Sequence, residues 1–139
     1  MAIVLLVAQA ALGALVSASF AGLNCPGFSG CGSAAAWSWH GLDPFREPQL
    51  SATLPINPDG APAQIVHRIG AVVVTLVLAP LGVAAVRRGA RRAGAVVLIL
   101  LAVQLALGVA LITASLPIEL ALAHNLVAAL LLTAVVSLL

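Results

Sequence analysis

Four apolar runs, each close to the thickness of a bilayer core, leave this chain few ways to fold. They extend from Ala2 to Phe20, Ala63 to Val86, Ala93 to Thr113 and Pro117 to Leu139. About 20 such residues in a helix cross the hydrocarbon layer. No water is available there to satisfy backbone N–H and C=O groups, so a spanning segment must be a helix or part of a closed barrel. The runs are helix-length. Only 7% of the 139 residues are charged and 63% are hydrophobic, so little chain is left over for a soluble surface. A basic, aromatic-bearing face of the kind that binds nucleic acid is missing. Residues 1–139 therefore read as a single all-α membrane domain, a bundle of four transmembrane helices.

Prolines and arginines set the boundaries and the orientation. Pro62 and Pro117 suit the first turns of the second and fourth helices, where a missing N–H costs nothing. Pro80 falls inside the second helix and is expected to bend it. Arg87, Arg88, Arg91 and Arg92 crowd the short link 87–92. By the positive-inside rule that link is cytoplasmic. The loop 21–62 and the turn around Ser115 then lie outside, and the second and fourth helices enter the membrane from the outer face. The first run lacks the positively charged start of a secretory signal and is long for its apolar region, so it reads as a span.

This orientation gives meaning to two histidines. His67 lies five residues after Pro62 and His124 seven after Pro117. Both fall roughly 7–11 Å below the outer helix ends at 1.5 Å per residue. Ionisable side chains at membrane depth point to a functional site. Two imidazoles at one depth in an apolar bundle fit the axial ligation of a haem iron. Interhelical hydrogen bonding is the plainer alternative. A proton relay would want carboxylates at depth, and Glu119 sits only in the first turn of the fourth helix, where the helix dipole favours it. A zinc-type site would want more ligands than two histidines.

A short internal repeat accompanies the histidines. Gln9-Ala10-Ala11-Leu12-Gly13 recurs as Gln104-Leu105-Ala106-Leu107-Gly108, each in the helix before a histidine-bearing one. The chain reads as two helical hairpins of the same orientation, related by an axis along the membrane normal. A ligand on that axis would receive one histidine from each. Gly13, Gly70 and Gly108 leave space for a macrocycle or for a neighbouring helix. Gln9 and Gln104 need partners inside the bundle. Gln64, three residues before His67, lies on nearly the same helix face and is expected near the same pocket. Arg68 is positioned either to pair with a haem propionate or to reach lipid headgroups.

The outer loop carries Cys25-Pro26-Gly27-Phe28-Ser29-Gly30-Cys31. An oxidising compartment favours a disulfide between Cys25 and Cys31, and a short loop of this kind also suits a redox-active dithiol. Trp37 and Trp39 are expected to anchor an interfacial segment, with His40 beside them. The stretch from Asp43 to Asp59 reads as an irregular loop.

Taken in order, Gly13-Ala14-Leu15-Val16, Ala21-Gly22-Leu23-Asn24-Cys25-Pro26, His67-Arg68, Leu107-Gly108 and Leu122-Ala123-His124-Asn125 resemble the haem A synthase family. The resemblance covers essentially the whole chain. Members generally have eight transmembrane helices in two similar halves, each with a histidine pair. The N-terminal half handles haem O and the C-terminal half holds a haem b cofactor. The family oxidises a methyl group of haem O to the formyl group of haem A for cytochrome oxidase. This chain is similar to the C-terminal half. The resemblance therefore implies haem b as cofactor, His67 and His124 as axial ligands, Arg68 as a propionate partner, and Cys25 and Cys31 as the outer-loop pair. It implies a bacterial cytoplasmic-membrane location with the cysteine loop outside. Its implied partners are haem O as substrate, a substrate half or a second copy of the chain, haem O synthase and membrane lipid. The substrate half carries a glutamate three residues before its first histidine, and here that position is Gln64, so no catalytic residue is implied. A fragment, one product of a split enzyme and a half-sized homologue that dimerises all fit. A non-catalytic electron-transfer cytochrome and a purely structural bundle are the other readings.

Overall fold

The computed structural model describes residues 1–25, 27, 31, 38–47, 57 and 59–138. Among them the regular elements are all helical: α1 (Ala2–Ala18), a short 3-10 turn (Trp39–Leu42), α2 (Ala61–Arg87), α3 (Arg91–Thr113) and α4 (Ile118–Leu138). Three of these, α2, α3 and α4, are long and apolar enough to cross a membrane. Helix α1 is apolar but has 17 residues. The chain is a multi-pass membrane protein.

Helices α1, α2 and α3 each stop for a local reason. At the end of α2 the chain turns through Gly89, whose φ of +99° suits a residue without Cβ, and Ala90 N–H closes onto the Ala85 carbonyl. The same closure ends α1, where Ala21 N–H reaches Val16 O, and α3, where Leu116 N–H reaches Leu111 O. There the left-handed positions are filled by Phe20 and Ser115 rather than glycine. That is why α1 ends at Ala18, short of the apolar run that continues to Phe20. Pro62 lies in the first turn of α2, and Pro117 stands just before α4. Helix α2 continues through Pro80.

The short links between α2 and α3 and between α3 and α4 force antiparallel neighbours. Helix α1 packs on α2 and on α4, α2 on α3, and α3 on α4, so the four form a closed ring with α2 and α4 diagonally opposite. Outward faces carry Val4, Leu76, Ile99 and Leu122, all exposed, as expected of helices whose surroundings are lipid. The dry core gathers at the arginine end: Ala2 and Leu6 from α1, Val74 and Leu78 from α2, Val97 and Leu101 from α3, Leu131 and Val135 from α4. Gly82 and Gly94 let the backbones of α2 and α3 touch there, since a Cβ on Gly94 would stand 2.6 Å from the Gly82 carbonyl oxygen.

At the opposite end a polar knot ties the loop to the helices. Asn57 is buried; its amide donates to Ser19 O at 2.9 Å, its carbonyl accepts from the Asn24 amide, and its Oδ1 caps Asp59 N–H. Gln64 is also buried and donates to Gly22 O at 2.7 Å. Arg46 pairs with Asp59 at 2.9 Å. These bonds fix where α2 starts relative to the end of α1.

Candidate functional site

His67 and His124 each lie six residues past the first residue of their helices, Ala61 and Ile118. Helices α2 and α4 run the same way, so both rings stand roughly 9 Å from the loop-side ends. Both side chains are half-buried. They sit on diagonal helices of the ring, above the dry core and below the loop.

Each ring has the same two neighbours on the adjacent helix. On α1, the Gln9 Nε2 lies 3.1 Å from His67 Nδ1 and donates to the His67 backbone carbonyl at 2.9 Å. On α3, the Gln104 Nε2 lies 3.0 Å from His124 Nε2. One turn further along each of these helices comes a glycine. A Cβ on Gly13 would meet His67 Cε1 at 3.1 Å, and one on Gly108 would meet His124 Cε1 at 3.4 Å. Glycine thus gives each imidazole the room to lie against the neighbouring helix. The spacing from Gln9 to Gly13 and from Gln104 to Gly108 places both residues on one helix face.

Several polar atoms here are buried without a partner: Gln9 Oε1, Gln104 Oε1 and His124 Nδ1. Stranded polar groups in a low-dielectric bundle are costly, and these three mark a site whose hydrogen bonding is incomplete as it stands. Among the described residues no group of three or more His, Cys, Asp or Glu converges as a metal site. The donor set is two imidazoles in an apolar setting. That suits a metal whose remaining ligands come from a macrocycle.

The other expected residues are distributed differently. Arg68 turns to the cysteine loop: its Nη1 donates to Gly27 O at 3.0 Å and its Nη2 to Cys25 O at 2.8 Å, while its Nε is buried and unpartnered. Cys25 is buried, its Cα is 4.5 Å from that of Cys31, and the two sulfurs are within bonding distance. Gln64 faces the loop and not His67. Trp39 is 71% exposed, with His40 exposed beside it. Trp37 lies outside the described residues. Asn57 is a structural residue that the sequence reading passes over, because it stands in a stretch that reads as irregular loop.

Over residues 1–136 the chain matches the cytochrome oxidase assembly protein family, the family of haem A synthases. It belongs to that family. No curated protein and no solved structure matches it. Family membership ties the chain to cytochrome oxidase assembly and haem A synthesis.

Proposed function

We propose that this member of the family is a four-span membrane module that holds haem b between His67 and His124 and takes part in oxidising the haem O methyl group to the formyl group of haem A. One observation carries the reading: two half-buried histidines at equal depth on diagonal helices, each backed by a glutamine and facing a glycine on its neighbour. Bound there, haem b supplies one-electron redox chemistry. The chain's own residues do the rest. His67 and His124 provide the lone pairs, Gly13 and Gly108 clear the space beside the rings, and the apolar helices exclude water. Arg68, with its Nε unpartnered, is the proposed propionate partner on the loop side.

On this reading the two hairpins are related by a pseudo-two-fold axis and share one ligand, and the spacing of core and site residues supports it. A shift of 95 residues carries Gln9 onto Gln104 and Gly13 onto Gly108, and carries the core residues Ala2 and Leu6 onto Val97 and Leu101. A shift of 57 carries His67 onto His124, and Val74 and Leu78 onto Leu131 and Val135. Within each pair of helices, the core residues thus correspond at the same shift as the site residues. Under this reading α1 is the fourth span. The arginine end faces the cytoplasm and the Cys25–Cys31 loop lies outside a bacterial cytoplasmic membrane.

A second reading, a bis-histidine electron-transfer cytochrome, is favoured by Gln64, which is tied to Gly22 and brings no carboxylate to the rings. Oxidation of haem O would then fall to a glutamate-bearing substrate half or a second copy of the chain, with haem O delivered by its synthase. Co-expression with a haem O source separates these cases. Haem A that forms only when this chain is present is the expected result. A red protein without haem A supports the cytochrome, and a colourless folded protein overturns both.

A further inference from the structure

The amides of Gln9 and Gln104 hold the histidines in a form that has to change when the rings ligate a metal. At Gln9 the amide orientation is fixed twice, since Nε2 donates to the His67 carbonyl and also faces His67 Nδ1. Oε1 is left buried and unpartnered. Gln104 likewise sets Nε2 on a ring nitrogen of His124 and leaves Oε1 stranded, with no second bond from the amide to a backbone carbonyl. An imidazole nitrogen that accepts an N–H is the lone-pair nitrogen, so the proton sits on the other one. A ring that binds iron gives its lone pair to the metal, and its second nitrogen then carries N–H and needs an acceptor. The Oε1 of the adjoining glutamine is a buried, unpartnered acceptor beside each ring.

We infer that Gln9 and Gln104 are paired positioning residues for His67 and His124: each amide donates to its ring in the free chain and turns over to accept the ring N–H when that ring ligates haem iron, Gln9 giving up its bond to the His67 carbonyl as it does so. This rests on the haem reading above. The acceptor makes the imidazole a stronger donor to iron, which favours the oxidised metal and lowers the midpoint potential.

The full chain, loaded with haem in nanodiscs, provides the test. Gln9→Met and Gln104→Met keep the length of the side chain and remove the acceptor. Each is expected to raise the midpoint potential and to weaken haem affinity by about 10–100-fold, the usual effect of losing a residue that orients a metal ligand. Gln9→Glu and Gln104→Glu keep an acceptor oxygen and are expected to hold the potential at or below that of the unaltered chain. They also carry the test if a methionine variant does not fold. Folded methionine variants with unchanged potential and affinity would overturn the inference, as would glutamate variants whose potential rises. An unaltered chain that takes up no haem would instead remove the ligand reading beneath it.

Discussion

Alanine at either His67 or His124 is expected to abolish the low-spin haem spectrum while leaving the helices folded. The two rings come from opposite corners of the ring of helices, and no third His, Cys, Asp or Glu converges there among the described residues to replace a lost ligand. On the proposed reading, one imidazole alone would leave the iron a single protein bond. The fold should survive because the histidines stand apart from the dry core: Val97 and Val135 are fully buried at the arginine end, whereas both histidines are half-buried. Soret absorbance per mole of protein, with far-ultraviolet circular dichroism on the same sample, checks this. A variant that keeps full absorbance would mean that the mutated histidine is not a ligand.

Gly94→Leu is expected to cost the bundle a large share of its stability. A Cβ at this position would stand 2.6 Å from Gly82 O, 2.8 Å from Val86 Cγ2 and 2.9 Å from Val86 N. Two of those atoms are backbone, so no rotamer change relieves the clash and α2 must move off α3. Forcing extra atoms into packed contacts costs about 1–3 kcal/mol, and here the upper end applies. In lipid, helix association depends on this kind of close backbone approach. Ile99→Val, on an outward face at 62% exposure, is the control and should change little. Unfolding in mixed micelles measures both. Equal stabilities for Gly94→Leu and the control would show that the α2–α3 contact is looser than described.

Much of the fold was legible because hydrophobic length is a coarse signal that lipid makes decisive. The runs anticipated α2, α3 and α4 to within about two residues at their ends, the usual uncertainty of helix boundaries. The first run was overestimated at Phe20, since apolarity does not reveal that the backbone turns left-handed there. The depth of the histidines was readable from Pro62 and Pro117. What each ring touches was not, because it depends on how far each helix is rotated about its axis. The repeat in Gln9–Gly13 and Gln104–Gly108 was visible as a pattern, yet its meaning as a ring-facing amide and glycine needed the packed helices. Arg68 was assigned two outward roles and spends two of its nitrogens on loop carbonyls, which a linear reading cannot bring near it. Gln64 was expected beside His67, since three residues along a helix share a face. Its position in the first turn of α2 puts it level with Gly22 instead. Asn57 could have been suspected as an asparagine between prolines close to a helix start, where side chains often replace missing backbone bonds.

Electron paramagnetic resonance of the purified, oxidised, unaltered protein tests most directly whether two imidazoles from opposite helices clamp one iron. A low-spin signal of the bis-imidazole type, at one haem per chain and lost in His67→Ala and in His124→Ala alike, is the predicted result. A high-spin signal, or one haem shared between two chains, would contradict it.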